Sequence, residues 1–170
     1  MELYLLRHAH AGDPAAWDGP DERRPLSDKG EKQADRLGRF LAGIGFQADA
    51  IVTSPKVRAA QTARIVAERL GLPLSEDDRL AGEVNVGTLE AVLRDAGDPV
   101  RPVVVGHDPD FTELVALLCG AARIPMRKGS LARIDVAQRL EPGGGTLRWL
   151  VPPDLLTPER QEHRRQHRAP

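Results

Sequence analysis

Cysteine is almost absent from this sequence, which has one among 170 residues. No intramolecular disulfide can form, so a fold held together by disulfides is excluded. The single cysteine, Cys119, lies in the apolar run FTELVALLCG at helical spacing from Val115 and Ala116. This spacing predicts a buried structural thiol rather than a redox-active or nucleophilic one.

Long apolar runs are also missing. The longest uncharged apolar stretches, such as 103–106 with its flanks, are far shorter than the roughly 20 residues that a bilayer-spanning helix needs. Near the N-terminus, Glu2 stands where a signal peptide carries positive charge, and no hydrophobic region with a cleavage site follows. We therefore expect a cytoplasmic protein that has no membrane partner.

An excess of basic charge is absent as well, since the formal net charge is −1. Nucleic-acid binders neutralise phosphates with lysine and arginine, so this balance argues against a nucleic-acid partner. The segment from Thr157 onward, TPERQEHRRQHRAP, nevertheless carries four arginines against two glutamates. Because it lacks apolar periodicity, we expect a single domain at 1–156 followed by a basic, disordered tail at 157–170. A basic docking segment is the alternative interpretation of that tail.

The remaining composition is typical of a globular protein, with 41% hydrophobic and 29% charged residues. Apolar runs of strand length alternate with longer helical patterns. This alternation predicts an α/β fold, a three-layer α/β/α sandwich around a mostly parallel central sheet. The β-branched run RPVVVGH at 101–107 indicates a strand buried on both faces. Two later patterns, SLARIDV and TLRWLV, predict a C-terminal hairpin added at the sheet edge.

Helix starts are marked by short polar residues. Ser27 is a predicted N-cap for a helix that ends at Gly43 or Gly45. Ser54 and Asp108 are each followed by a proline. We predict that each of them caps a helix whose first residue is that proline.

Four residues suited to phosphate chemistry lie where predicted strands end. Arg7 and His8 follow the first strand, and His107 ends RPVVVGH. Arg58 lies in the first turns of the helix after the second strand. Ligands of open α/β sheets bind outside the carboxyl ends of the strands, so we expect these residues to surround one pocket.

Two arginines in a pocket favour an anionic ligand, and their planar guanidinium groups suit the oxygens of phosphate. One histidine can attack phosphorus through an unprotonated ring nitrogen. The second histidine, in its protonated form, can stabilise the charge of the transition state. The residues themselves thus indicate phosphoryl transfer.

A metal site is the alternative interpretation, because His-x-His at a strand end is a known ligand spacing. Its ligands would be His8, His10, Asp13 and His107. The positive charges of Arg7 and Arg58 would repel a divalent cation in the same pocket. We therefore expect no metal, and we expect His10 to lie elsewhere on the loop or at the pocket rim.

Three segments, LRHA at 6–9, SPKVRAAQTA at 54–63 and VVGHDP at 104–109, together resemble the histidine phosphatase superfamily. The short chain is similar to the SixA-type phosphohistidine phosphatase branch. RRPLSDKG at 23–30 and LRWLVPPDLL at 147–156 extend the likeness. The resemblance implies a three-layer α/β/α fold and neither metal nor cofactor.

The resemblance also assigns roles to individual residues. His8 matches the nucleophile that becomes phosphorylated. Arg7 and Arg58 match the phosphate-binding arginines, and His107 matches the second pocket histidine. Arg24, which precedes Pro25, matches an arginine near the pocket in the SixA branch and is expected to contribute to phosphate binding.

The general acid is where the sequence departs from the family pattern. The superfamily usually supplies a glutamate or an aspartate, whereas SixA-type proteins often lack an obvious one. The candidates here are Glu83, Asp108 and Asp21. Each also has a structural explanation: a solvated loop residue for Glu83, a helix N-cap for Asp108 and a salt bridge to a nearby arginine for Asp21.

The substrate follows from this weak acid requirement. Phosphohistidine has a labile P–N bond and leaves with less proton donation than an alkyl phosphate ester requires. Together with the nucleophile that the resemblance implies, this predicts a phosphatase that acts on phosphohistidine proteins through a phosphohistidine enzyme intermediate. A phosphatase of small phosphate esters, a mutase and a non-catalytic phosphate-binding module are the alternatives.

Overall fold

The computed structural model of the protein describes residues 1–137 and 139–158. Within them, six strands and four α-helices follow one another along the chain. The strands are β1 (Glu2–Arg7), β2 (Ala50–Thr53), β3 (Leu74–Glu76), β4 (Pro102–Gly106), β5 (Leu131–Asp135) and β6 (Thr146–Val151). The helices are α1 (Asp28–Gly43), α2 (Val57–Leu70), α3 (Val86–Asp95) and α4 (Asp110–Leu118).

The six strands form one sheet in the order β3-β2-β4-β1-β5-β6. The first four of these strands are mutually parallel. β5 pairs antiparallel to β1, and β6 pairs antiparallel to β5 at the edge of the sheet. The expectation of a mostly parallel sheet with an added C-terminal hairpin is confirmed.

Helices cover both faces of this sheet, which gives the predicted three layers. Val103 and Val105 of β4 lie in the core under α1 and α2, where they join Leu37 and Ala63. Val104 lies in the opposite core with residues of α3 and α4. All five residues of β4 are buried, and full burial of a valine side chain contributes about 1.5–3 kcal/mol. The continuous β-branched run is thus explained by burial on both faces.

The predicted helix caps have different outcomes. Ser27 accepts a hydrogen bond from the Gly30 N–H at 3.1 Å, and α1 ends at Gly43 as predicted. The prediction for Ser54 is wrong, because α2 begins at Val57 and its N-cap position is Lys56. The Ser54 hydroxyl lies instead 2.8 Å from His107, and this contact draws the side chain toward the site.

The prediction that Asp108 is the N-cap residue is also wrong, since the N-cap of α4 is Pro109 and the helix begins at Asp110. The Asp108 carboxylate still accepts a hydrogen bond from the Thr112 N–H at 3.1 Å. It therefore satisfies one of the free N–H groups of the first turn, although from one residue further out.

Cys119, at the C-terminal end of α4, is a half-buried free thiol that packs against the core, and burial raises its pKa.

Among the described residues, no helix has both the length and the apolarity to span a bilayer. The expected tail lies mainly outside the described residues, which end at Pro158. The proposed division at 156 therefore stays a prediction.

Candidate active site

The order of the central strands brings the predicted site residues together. β4 lies between β1 and β2, and Arg7 of β1 is in register with Gly106 of β4. The residues that follow these two positions are His8 and His107, whose ring centroids are 5.2 Å apart. Arg58, the second residue of α2, enters from the side of β2.

His8 is nearly inaccessible, with 5% of its surface exposed. Its Nδ1 lies 2.7 Å from the carbonyl oxygen of Ala9. A carbonyl oxygen only accepts hydrogen bonds, so Nδ1 carries the proton and donates it. The tautomer is thereby fixed, and the lone pair of the neutral ring is on Nε2.

The charge state of His8 follows from its surroundings. Burial, followed by the positive charges of Arg58, Arg7 and Lys128, lowers the pKa of His8 to about 3, against the opposing effect of the hydrogen bond to Ala9. The ring is therefore neutral at physiological pH. A neutral imidazole with a fixed lone pair is the reactive form for nucleophilic attack.

The loop that carries His8 is tied to α2 by a threonine that sequence reasoning did not single out. The Ala9 N–H donates to Oγ1 of Thr62 at 3.1 Å, and that hydroxyl donates to the Arg58 carbonyl oxygen at 2.7 Å. Thr62 is fully buried. It therefore couples the position of the histidine loop to the helix turn that carries Arg58.

His107 differs from expectation in its charge. Burial lowers its pKa to about 3, with further contributions from His8, Arg58 and Lys56. The ring is thus neutral at physiological pH, whereas we expected a protonated one. The physical reason is that burial disfavours the charged ring, and the positive charges of Arg58 and Lys56 outweigh the opposing effect of Asp21.

The hydrogen bonding of His107 is incomplete. Its Nε2 lies 2.8 Å from Oγ of Ser54. Its Nδ1 is buried and has no hydrogen-bond partner within the described parts of the chain. A neutral ring carries one N–H, and the Ser54 hydroxyl can serve as donor or acceptor to it.

Asp21 bridges two arginines. Its carboxylate accepts from Nη2 of Arg58 at 2.9 Å and from Nε of Arg24 at 3.1 Å. The Asp21 carbonyl oxygen also accepts from Nη1 of Arg58 at 2.7 Å. Both guanidinium groups are buried, with 6% of Arg58 and 7% of Arg24 exposed. The 3-10 turn at Asp21–Arg23 thus holds Arg58 in place and sets Arg24 beside the pocket.

Arg7 is held by a second network on the other side of the site. Its Nη1 donates to the Met126 carbonyl oxygen at 2.7 Å and lies 3.0 Å from Oδ2 of Asp108. Thr112 donates its hydroxyl to the same carboxylate oxygen at 2.8 Å and accepts from the Met126 N–H at 3.0 Å. The four residues close a ring of contacts that fixes the direction of the guanidinium.

Two of the three candidate acids are engaged by other residues, and the third makes no described polar contact. Hydrogen bonds from Arg24 and Arg58 lower the pKa of Asp21, so this group is ionised at neutral pH. The oxygens of Asp108 are occupied by Arg7 and Thr112. Glu83 is exposed in the loop before α3 and makes no hydrogen bond or ion pair with any residue that the structure describes.

Lys128 is a site residue that sequence reasoning missed. It is half-buried just before β5, and burial lowers its pKa, with further lowering by Arg7, Arg24 and Arg58. Its charge in turn lowers the pKa of His8. No local pattern marks this lysine, because it reaches the pocket only through the pairing of β5 with β1.

His10 contacts Ser27, the N-cap residue of α1, and Gln33 of the same helix. The ring Nδ1 of His10 is 2.6 Å from Oγ of Ser27, and its backbone N–H donates to Oε1 of Gln33 at 2.9 Å. No group of three or more histidine, cysteine or carboxylate side chains within the described segments converges as ligands for a metal ion. The ligand set that included His10 and Asp13 is therefore not assembled in this structure.

Comparison with known proteins identifies the family. Residues 3–99, which include Arg7, His8 and Arg58, match the family model of the histidine phosphatase superfamily (branch 1). The chain belongs to the histidine phosphatase superfamily. This membership agrees with the resemblance of the sequence motifs and makes the chain a hydrolase of the phosphatase type.

Two relatives match most of the chain. The phosphohistidine phosphatase SixA of Escherichia coli (strain K12) is 30% identical over 158 residues, which cover 90% of this chain and 94% of that protein. An 8-oxo-(d)GTP phosphatase of Mycolicibacterium smegmatis is 27% identical over 161 residues, which cover 89% of this chain but only 48% of the relative.

The fold agrees with the sequence comparison. The structure of the protein histidine phosphatase SixA complexed with tungstate superimposes with a TM-score of 0.78 and 27% identity. The match covers 92% of this chain and 100% of the other one. The predicted resemblance to the SixA-type branch is thus confirmed at the level of sequence and fold.

Proposed function

We propose that this histidine phosphatase hydrolyses phosphohistidine in proteins through a phosphorylated His8. The observation that carries the proposal is the state of the His8 ring. It is buried and neutral, and its Nδ1–H is held by the Ala9 carbonyl oxygen, so that Nε2 is the only ring nitrogen able to attack.

In the first step, the lone pair of His8 Nε2 forms a bond to phosphorus while the bond from phosphorus to the leaving group breaks in line with it. The leaving group takes the electron pair of that bond. Arg7 and Arg58 face the non-bridging oxygens, whose charge develops in the transition state. The Nε atoms of both arginines have no hydrogen-bond partner in the described residues and are available as donors.

In the second step, water attacks phosphorus and the P–N bond to His8 breaks. The electron pair of that bond returns to Nε2, inorganic phosphate leaves, and the proton of the water passes to phosphate or solvent. His107 contributes one N–H to the oxygens in both steps. A neutral donor here avoids charge repulsion with Arg58.

The substrate class rests on the state of the three candidate acids. Asp21 is ionised, Asp108 is paired with Arg7, and Glu83 is exposed and makes no hydrogen bond or ion pair with a described residue. A poor leaving group such as an alkoxide needs a proton during bond cleavage, whereas an imidazole that is already protonated on its distal nitrogen does not. The pocket is therefore suited to phosphohistidine, in line with the similarity to SixA.

A trapping experiment tests the nucleophile. The protein is mixed with a histidine peptide labelled with ³²P on the imidazole and quenched in alkali, where phosphohistidine survives. We expect label on the wild type and on His10→Gln, but none on His8→Ala. Equal labelling of all three proteins would contradict the assignment, and binding without any labelling would indicate a phosphate reader instead of an enzyme.

A substrate panel tests the leaving-group argument. The value of kcat/KM is compared for the phosphohistidine peptide, an aryl phosphate and an alkyl phosphate. We expect the phosphohistidine peptide to be hydrolysed fastest and the alkyl ester slowest. A clear preference for the alkyl ester would refute phosphohistidine as the substrate and support an ester phosphatase.

A further inference from the structure

A basic groove adjoins the catalytic pocket and continues along α1. Its volume is about 830 Å³, far more than one phosphate group fills. Cationic side chains dominate the lining of the groove: Arg7, Lys29, Lys32, Arg36, Arg127 and Lys128. Arg7, which directly precedes His8 at the end of β1, is part of this lining, so the groove adjoins the reaction site.

The positive charge of the groove is largely uncompensated. Within the described residues, Asp154 is the one carboxylate of the lining, and it lies 3.8 Å from Arg127. Lys29, Lys32 and Arg36 form no ion pair with any described carboxylate. Asp35 of the same helix does not compensate them, because it pairs with other arginines of α1 and α2.

Three of the cations that line the groove form a row on α1. Lys29, Lys32 and Arg36 are separated by three and four residues, so they share one face of α1. At 1.5 Å of rise per residue the row is about 10 Å long. An extended peptide covers that length with about three residues. One further phosphate group on a small substrate is too short to span all three cations.

We propose that this groove binds an acidic segment that flanks the phosphohistidine of the protein substrate. The inference rests on the proposed function and adds a basis for substrate choice. Carboxylates of the partner pair with Lys29, Lys32 and Arg36 while its phosphorylated imidazole reaches His8. Such complementary charge accelerates encounter and fixes orientation, and both effects weaken as salt rises.

Two synthetic phosphohistidine peptides test the inference, one with three glutamates beside the phosphohistidine and one with three glutamines. We expect the wild type to show about tenfold higher kcat/KM for the acidic peptide at low salt, mainly through KM. The double variant Lys29→Glu, Lys32→Glu should lose this preference and retain turnover of the neutral peptide. Arg64→Glu, Arg94→Glu, the same charge change at exposed positions outside the groove, should keep it.

The outcomes separate the inference from the proposed function. If the wild type hydrolyses neither peptide, the proposed function fails and the inference fails with it. If it hydrolyses both peptides equally, or if the groove variant keeps the preference for glutamate, the proposed function stands and the docking groove is refuted. An equal loss on both peptides in the groove variant would also refute docking, because the lysines would then act on the reaction itself.

Discussion

Replacing His8 by asparagine should change how the stability of the protein depends on pH. The pKa of His8 is about 3 in the folded protein, whereas an unfolded histidine titrates near 6.5. Because the folded-state pKa is depressed, the stabilising contribution is complete above about pH 6.5 and is lost as pH falls toward 3. His107, with a pKa of about 3, acts in the same direction.

The size of the effect follows from proton counting. Between about pH 4.5 and 5.5 the unfolded chain holds close to one more proton at each of these two rings than the folded chain does. Each such proton makes the free energy of unfolding fall by about 1.4 kcal/mol per pH unit of acidification. His8 and His107 together therefore contribute a slope of about 2.7 kcal/mol per pH unit.

Urea unfolding at several pH values in this window measures the slope. Asparagine at position 8 keeps an amide N–H for the Ala9 carbonyl oxygen, so the loop retains its hydrogen bond. We expect His8→Asn and His107→Asn each to reduce the slope by about 1.4 kcal/mol per pH unit, and the double variant to reduce it by about twice that. Carboxylates titrate equally in all four proteins and cancel in the comparison. A slope in His8→Asn equal to that of the wild type would refute a neutral His8 in the folded state.

Three further predictions concern single positions. Asp108→Asn should lower kcat/KM about tenfold by releasing Arg7. The loss should be the same for substrates with good and with poor leaving groups. A loss that grows with the pKa of the leaving group would instead identify Asp108 as the general acid. Lys128→Met should raise the inhibition constant of vanadate about tenfold. An unchanged constant would exclude Lys128 from the phosphate site. Gly30→Ala should lower the free energy of unfolding in urea by about 2–3 kcal/mol, because a β-carbon at position 30 overlaps the His10 carbonyl oxygen. An unchanged free energy of unfolding would show that the loop can move away.

The architecture could be predicted from the sequence because burial leaves a clear record in it. A strand covered on both faces has no polar side, and β4 is read directly from this rule. The gathering of Arg7, His8, Arg58 and His107 also follows, since parallel strands place their carboxyl ends at one edge. Their chemical roles are predictions that the trapping experiment tests.

Other features could not be predicted because they depend on contacts between distant segments. Ser54 has the local pattern of a helix cap, yet its hydroxyl contacts His107, which is 53 residues away. Lys128 acts on His8 only after β5 has paired with β1. The neutral state of His107 likewise follows from burial beside His8 and Arg58, and a sequence does not specify burial of a particular ring.

The pairing of β1 with β4 makes catalysis a sensitive report on folding. Leu6 and Val105 are partners in this pair although they are 99 positions apart in the sequence. Side chains alternate between the faces of a strand, so a slip of one residue would turn His107 toward the opposite layer. A partly folded or misregistered chain could contain every helix and still lack a reactive centre. Hydrolysis regained during refolding would therefore mark native register in the middle of the sheet, a step that helix content alone does not reveal.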